Sequence, residues 1–195
     1  MIEEALRFIK TELNNYLNNK IAPQAENRVE TGNVARLGEA SSNDLMNKII
    51  VSLVNVEEDR ISRNPENFVK ADNRTIYKNP KVHLNLYCLF TANKESYTDA
   101  LKQLAYIIQF FQHKNVFTHE TSPGLDAGIE KLVFDLYTLN FEQVNHLWAT
   151  LGGKYIPSAL YRMRMVTLDE GLVTAESTFI KEVNIRSEDY INATI

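Results

Sequence analysis

Residues 146–169 constrain the fold more than any other stretch, because they force a helix to stop and a strand to start within a few residues. Leu147, Trp148 and Leu151 close an apolar-periodic segment, Gly152 and Gly153 follow, and Pro157 precedes an alternating run from Ala159 to Leu168. Glycines supply the left-handed backbone that ends helices, and proline cannot continue one. Trp148, the single tryptophan of the chain, is thus carried on the last turn of a helix that turns sharply into a strand. It reads as a core anchor packed with Phe141, Val144 and Leu151, although tryptophan is also a typical interface residue. In the strand, Arg162 and Arg164 share one face and Tyr161, Met163 and Met165 the other, since side chains alternate. Two guanidiniums so placed either pair internally across the sheet or meet carboxylates of a partner. Both readings stand.

Upstream, Ile2, Leu6, Ile9, Leu13 and Leu17 recur at helical spacing and predict an amphipathic helix over the first twenty or so residues, which Pro23 ends. Residues 23–44 read as a loop with at most one short strand. The β-branched run 49–56 predicts a strand buried on both faces, ended in solvent by Glu57, Glu58 and Asp59. Residues 60–80 read as a long excursion. Val82, Leu84, Leu86, Cys88 and Phe90 alternate as a strand. Then comes a helix capped by Ser96, with Tyr97, Leu101, Leu104, Ala105, Ile108 and Phe111 on its apolar stripe. A loop with Pro123 and Gly124 leads to a strand over 132–137, and Asn140 is placed to cap the helix that delivers Trp148. A last strand is expected around 179–185. This order lacks the strict alternation and the Gly-rich turns of a doubly wound sheet. The fold class it predicts is mixed α/β (α+β): one compact domain with a mostly antiparallel sheet and flanking helices.

Composition bounds the function. With 195 residues the chain is long enough for a core without metal or disulfide staples. A net charge of −4, with 21 basic and 25 acidic residues, gives no footprint for nucleic acid. One cysteine cannot form an internal disulfide, no apolar run approaches a membrane span, and no secretory leader is evident, so cytoplasmic synthesis is expected. Catalytic and cofactor motifs do not assemble. His113 and His119 are six apart across an expected loop, so spacing does not converge them with Glu120 on a metal. Cys88 alternates with apolar residues and reads as a buried structural thiol. Glu57, Glu58 and Asp59 are adjacent and so point apart, unlike a calcium loop. Gly152, Gly153 and Lys154 follow a helix, whereas a phosphate loop follows a strand. No cofactor, metal or catalytic residue is expected, and the best interface candidates are Arg162, Arg164, Glu57, Glu58 and Asp59.

Longer strings carry a resemblance. Ile50-Val51-Ser52-Leu53-Val54-Asn55-Val56-Glu57-Glu58-Asp59-Arg60, the run from Asn79-Pro80 through Val82–Asn93, Phe110-Phe111-Gln112, Asn145-His146-Leu147-Trp148 and Pro157-Ser158-Ala159-Leu160-Tyr161-Arg162-Met163-Arg164-Met165 follow one another in an order that resembles the cap, or tail-terminator, family of extracellular contractile injection systems. The resemblance covers most of residues 1–170, which it implies are a tail-terminator-like domain, with 171–195 a C-terminal strand or extension. It implies a non-enzymatic subunit of a sixfold homomeric ring that ends the inner tube and sheath of a phage-tail-like particle. Such a subunit is assembled in the cytoplasm, in a particle that can be released, and its partners are itself and the tube and sheath proteins. Two rival functions are an assembly adaptor absent from the finished particle and a small hydrolase built around His113, His119 and Glu120.

Overall fold

Alternation at residues 83–92 places one strand at the centre of the molecule. The computed structural model describes residues 1–21, 26–37, 39–59, 68–71, 74–78, 83–167 and 173–178. In chain order the elements are α1 (Ile2–Lys20), β1 (Val29–Thr31), two 3₁₀ turns (Val34–Arg36 and Ala40–Leu45), β2 (Ile49–Glu58), β3 (Phe68–Ala71), β4 (Arg74–Lys78), β5 (His83–Ala92), α2 (Tyr97–His113), β6 (Val116–Thr118), β7 (Ile129–Leu136), α3 (Phe141–Thr150), β8 (Ser158–Thr167) and β9 (Val173–Thr178). They form two compact units. The larger draws on Met1–Arg63 and Lys81–Leu168, the smaller on Asn64–Pro80 and Asp169–Ile195.

The larger unit is a six-stranded sheet in the order β1-β2-β5-β8-β7-β6. Only the β1–β2 pair is parallel. This is the mixed, mostly antiparallel α/β architecture with flanking helices that the sequence predicts. One face of the sheet carries α1 and α2. Phe8, Ile9, Leu13 and Leu17 from α1, with Ile107, Phe110 and Phe111 from α2, pack on Leu86, Cys88, Phe90, Phe134, Tyr161 and Met163. Phe111 is the hub of this core: its ring centroid lies 4.2 Å from Tyr161, 4.7 Å from Phe134 and 5.1 Å from Phe90. Among the described residues of the larger unit, the opposite face is covered at one end, where α3 sets Trp148 against Val34, Ile50, Leu89 and Leu160.

Local chemistry fixes the ends of the elements. Asn14 and Asn18, late in α1, accept from the Arg28 N–H and Nε at 2.8 and 3.2 Å, and so hold the chain as it returns. Ser96 caps α2, and Asn140 caps α3 through reciprocal bonds with Gln143 of 2.8 and 3.0 Å. Gly152 and Gly153, at φ 101° and 77°, turn the chain out of α3, a conformation costly for any side chain.

Several expectations are corrected. β2 is buried on both faces only over residues 49–52; a register shift between Leu53 and Asn55 follows, and residues 55–58 are exposed. The predicted stripe of α2 is not its buried face: apart from Phe111, the core takes Ala100, Gln103, Ile107 and Phe110, while Tyr97 and Leu101 are exposed. The helix has two apolar stripes, and periodicity does not say which one meets the sheet. Phe141, expected beside Trp148 in the core, is 96% exposed at the first position of α3. The 112–130 loop holds β6, whose Phe117 is fully buried. Within the 60–80 excursion, β3 and β4 form a hairpin that β9 joins to make a three-stranded antiparallel sheet. The strand expected at 179–185 lies outside the described residues.

Candidate interaction surface

The rest of the second sheet face is built from alternate residues of four strands. Strand register sets Arg162 between Tyr87 and Asp135, and Arg164 between Asn85 and Val133, with Asn55 and Glu57 beyond on β2. Both arginines therefore share a face, as the alternation predicts, opposite the buried Tyr161, Met163 and Met165. Both also reach one carboxylate oxygen. Asp135 Oδ2 lies 3.3 Å from Arg162 Nη2 and 3.1 Å from Arg164 Nε. The internal pairing is thus present, but it is two cations on one anion, and both arginine side chains remain more than one-third accessible to solvent.

Beside them, the Tyr87 hydroxyl donates to Glu57 at 2.7 Å. That bond to a carboxylate, with partial burial added, pushes the Tyr87 phenol up to about 12. Its ring packs edge-on against Tyr137, 5.1 Å between centroids. Asn85 is only 7% exposed, and its Oδ1 has no partner; Arg162 Nε is likewise buried without an acceptor. Of the acidic trio, Glu57 and Glu58 finish β2 in solvent, and the Asp59 N–H donates to the His83 carbonyl at 2.8 Å. The trio does not converge on a point.

At the other end of the same face the sheet stops, and a cleft of about 660 Å³ opens between α2 and α3. Leu104 and Ile108 form one wall, Val144, Leu147 and Trp148 another, and residues 136–141 with Ala159 and Leu160 the floor. Trp148 is 5% exposed, and Tyr155 leans edge-on against it at 5.5 Å. The sequence reading missed this cleft. Its signal was the surplus apolar stripe of α2 together with the run Leu136, Tyr137, Leu139 and Phe141.

The residues considered for chemistry stay apart or inert. His113 ends α2 in solvent, and His119 and Glu120 are exposed on the turn after β6. Among the described residues no group of three or more His, Cys, Asp or Glu side chains is placed to hold a metal. Burial pushes the Cys88 thiol up to about 12, so it is not a thiolate at neutral pH.

This mostly antiparallel sheet with two helices on one face and one on the other is a fold shared with two solved proteins. The whole chain superimposes on the PVC sheath/tube terminator of an extracellular contractile injection system in its extended state, solved by cryo-EM, with a TM-score of 0.63 at 14% identity. The anti-feeding prophage cap, a tube-terminating cap, matches over 91% of the chain with a TM-score of 0.57, also at 14% identity. By sequence, residues 4–182 match the Pvc16 N-terminal domain, and the chain belongs to that family. The chain spans 65% and 60% of the lengths of those two solved proteins. No curated protein matches it.

Proposed function

We propose that this protein is a structural cap, the terminator of a contractile phage-tail-like particle, which closes the end of the inner tube and sheath as a sixfold ring. What carries this reading is the agreement of the fold, over 100% and 91% of the chain, with a sheath/tube terminator and a tube-terminating cap. A non-enzymatic role is consistent with that neighbourhood and with the scattered histidines. A closed ring of identical subunits uses two different surfaces of each, so a terminator needs side contacts as well as a face for the tube or sheath. Arg162, Arg164 and Glu57, which share one sheet face, and Glu58 and Asp59 at the end of β2 are candidates for such contacts. Among the described residues no helix is long and apolar enough to cross a membrane. Cytoplasmic assembly followed by release in the particle fits the extracellular system to which one of the two neighbours belongs.

Deleting the gene in its own host and measuring particles by negative-stain microscopy tests this. Loss of sheathed particles, or tubes of uncontrolled length, is the expected result. Particles of normal length with normally closed ends would overturn it. Mass spectrometry of purified particles then separates a cap from an assembly adaptor, which would be absent from them.

A further inference from the structure

The cleft is not explained by the fold. A helix lying on a sheet needs one apolar stripe, and α2 spends a second one, with Tyr97, Leu101, Leu104 and Ile108, on the side that walls the cleft. Of the nine large apolar residues exposed to solvent among those described, Leu136, Tyr137, Phe141 and Tyr155 line the cleft, and Tyr97 and Leu101 continue its α2 wall. Contiguous apolar surface of this kind marks a place where something binds. A small-molecule pocket encloses most of its ligand. Here the Phe141 and Tyr155 rings stand out from the rim, as anchors do that a macromolecule buries.

Charge narrows the occupant. Leu160 lines the cleft, and Arg162 and Arg164 follow it on the same face of β8 in steps of roughly 7 Å. There two guanidiniums answer a single carboxylate, and one Arg162 donor is buried with no acceptor. The lining itself contains no charged residue. A second copy of this chain is a poor fit. The other exposed large apolar residues among those described, Met1, Met46 and Val56, are far apart in sequence, at the caps of α1 and of the second 3₁₀ turn and on β2. A two-fold pairing whose axis runs along the cleft would also bring like-charged arginine pairs together.

We infer that this cleft, with Arg162 and Arg164 at its end, is the docking site for a segment of a different protein of the particle, one that carries large apolar side chains beside a carboxylate. The inference rests on the terminator reading and adds to it the contact surface and the chemistry of its partner. The apolar part fills the cleft, and the carboxylate completes the under-neutralised arginine pair.

The test is calorimetric titration of the purified full chain with the purified sheath subunit and, separately, the purified tube subunit from the same gene cluster. Phe141→Ser alters an exposed side chain, and the double variant Arg162→Gln with Arg164→Gln a half-buried and an exposed one; circular dichroism checks their folding, and Met46→Ser is the distant control. Binding to one subunit that weakens about tenfold or more in both cleft variants, with a shallower salt dependence in the arginine variant, supports the site. Binding that is absent in the wild type, or unchanged in both variants, overturns it. So does a change confined to self-association in sedimentation, or displacement of the subunit by dodecanoate at micromolar concentration. Loss of capped particles in the deletion strain with any of these negative results would remove the cleft and leave the terminator reading standing.

Discussion

Cys88, Tyr87 and Tyr161 hold their protons more tightly in the folded chain than in an open one, for two reasons. Burial acts on Cys88 and Tyr161, and the Glu57 carboxylate, more than burial, acts on Tyr87. Each is raised to about 12, from 9.0 for the thiol and 10.0 for the phenols. Raised folded-state values contribute stability that is fully present below the unfolded values and is lost as pH climbs toward the folded ones. The urea midpoint should therefore hold up to about pH 9 and fall steadily toward pH 12, and a flat profile would contradict the burial of these groups. A thiol reagent near neutral pH should label Cys88 only on unfolding. Trp148→Ala removes the largest side chain of the smaller core. The loss should be about 3 kcal/mol by chemical denaturation, the low end for such a change, because the open cleft beside it lets Tyr155 settle inward.

Among the elements, α3 depends most on its ends. At 10 residues it is shorter than the roughly 12–15 that a helix needs to persist alone, so its cap and the docking of Trp148 must hold it. Asn140→Ala removes the side-chain acceptor of the capping box, leaving only the backbone bond to Gln143, and should cost about 1 kcal/mol, seen as a lower denaturation midpoint with an unchanged slope. This end of the fold was legible in the sequence, because Asn140, Trp148, the glycine pair and the strand alternation each act locally. β5 and β8 were legible for the same reason. The buried side of α2 was not, since two apolar stripes satisfy the same period and only the sheet decides between them. β6 was too short to show a pattern, and Phe117 is its only fully buried member. The arginine pair was legible as a face, but its shared partner was not. Asp135 lies 27 and 29 residues away, and register alone brings it there.

At the scale of the whole chain, the hairpin of β3 and β4 shows where local pattern stops informing. It reads as an excursion because its third strand, β9, comes from about 100 residues later: Arg74 lies opposite Thr178 and Ile76 opposite Glu176. A two-stranded hairpin is at best marginal in water, and the third strand is what lets such a sheet persist. The six-stranded sheet and its helices, by contrast, draw every strand from the larger unit. Ending the chain at Leu168 should therefore have unequal effects. The cooperative thermal transition of the larger unit should survive, since its strand pairs are intact. Limited proteolysis should then cut within residues 68–78 far faster than in the full chain, because Arg74 to Lys78 lose their partners on β9. Unchanged cleavage there would mean that the hairpin does not depend on β9. Loss of the main transition would mean that the two units fold as one.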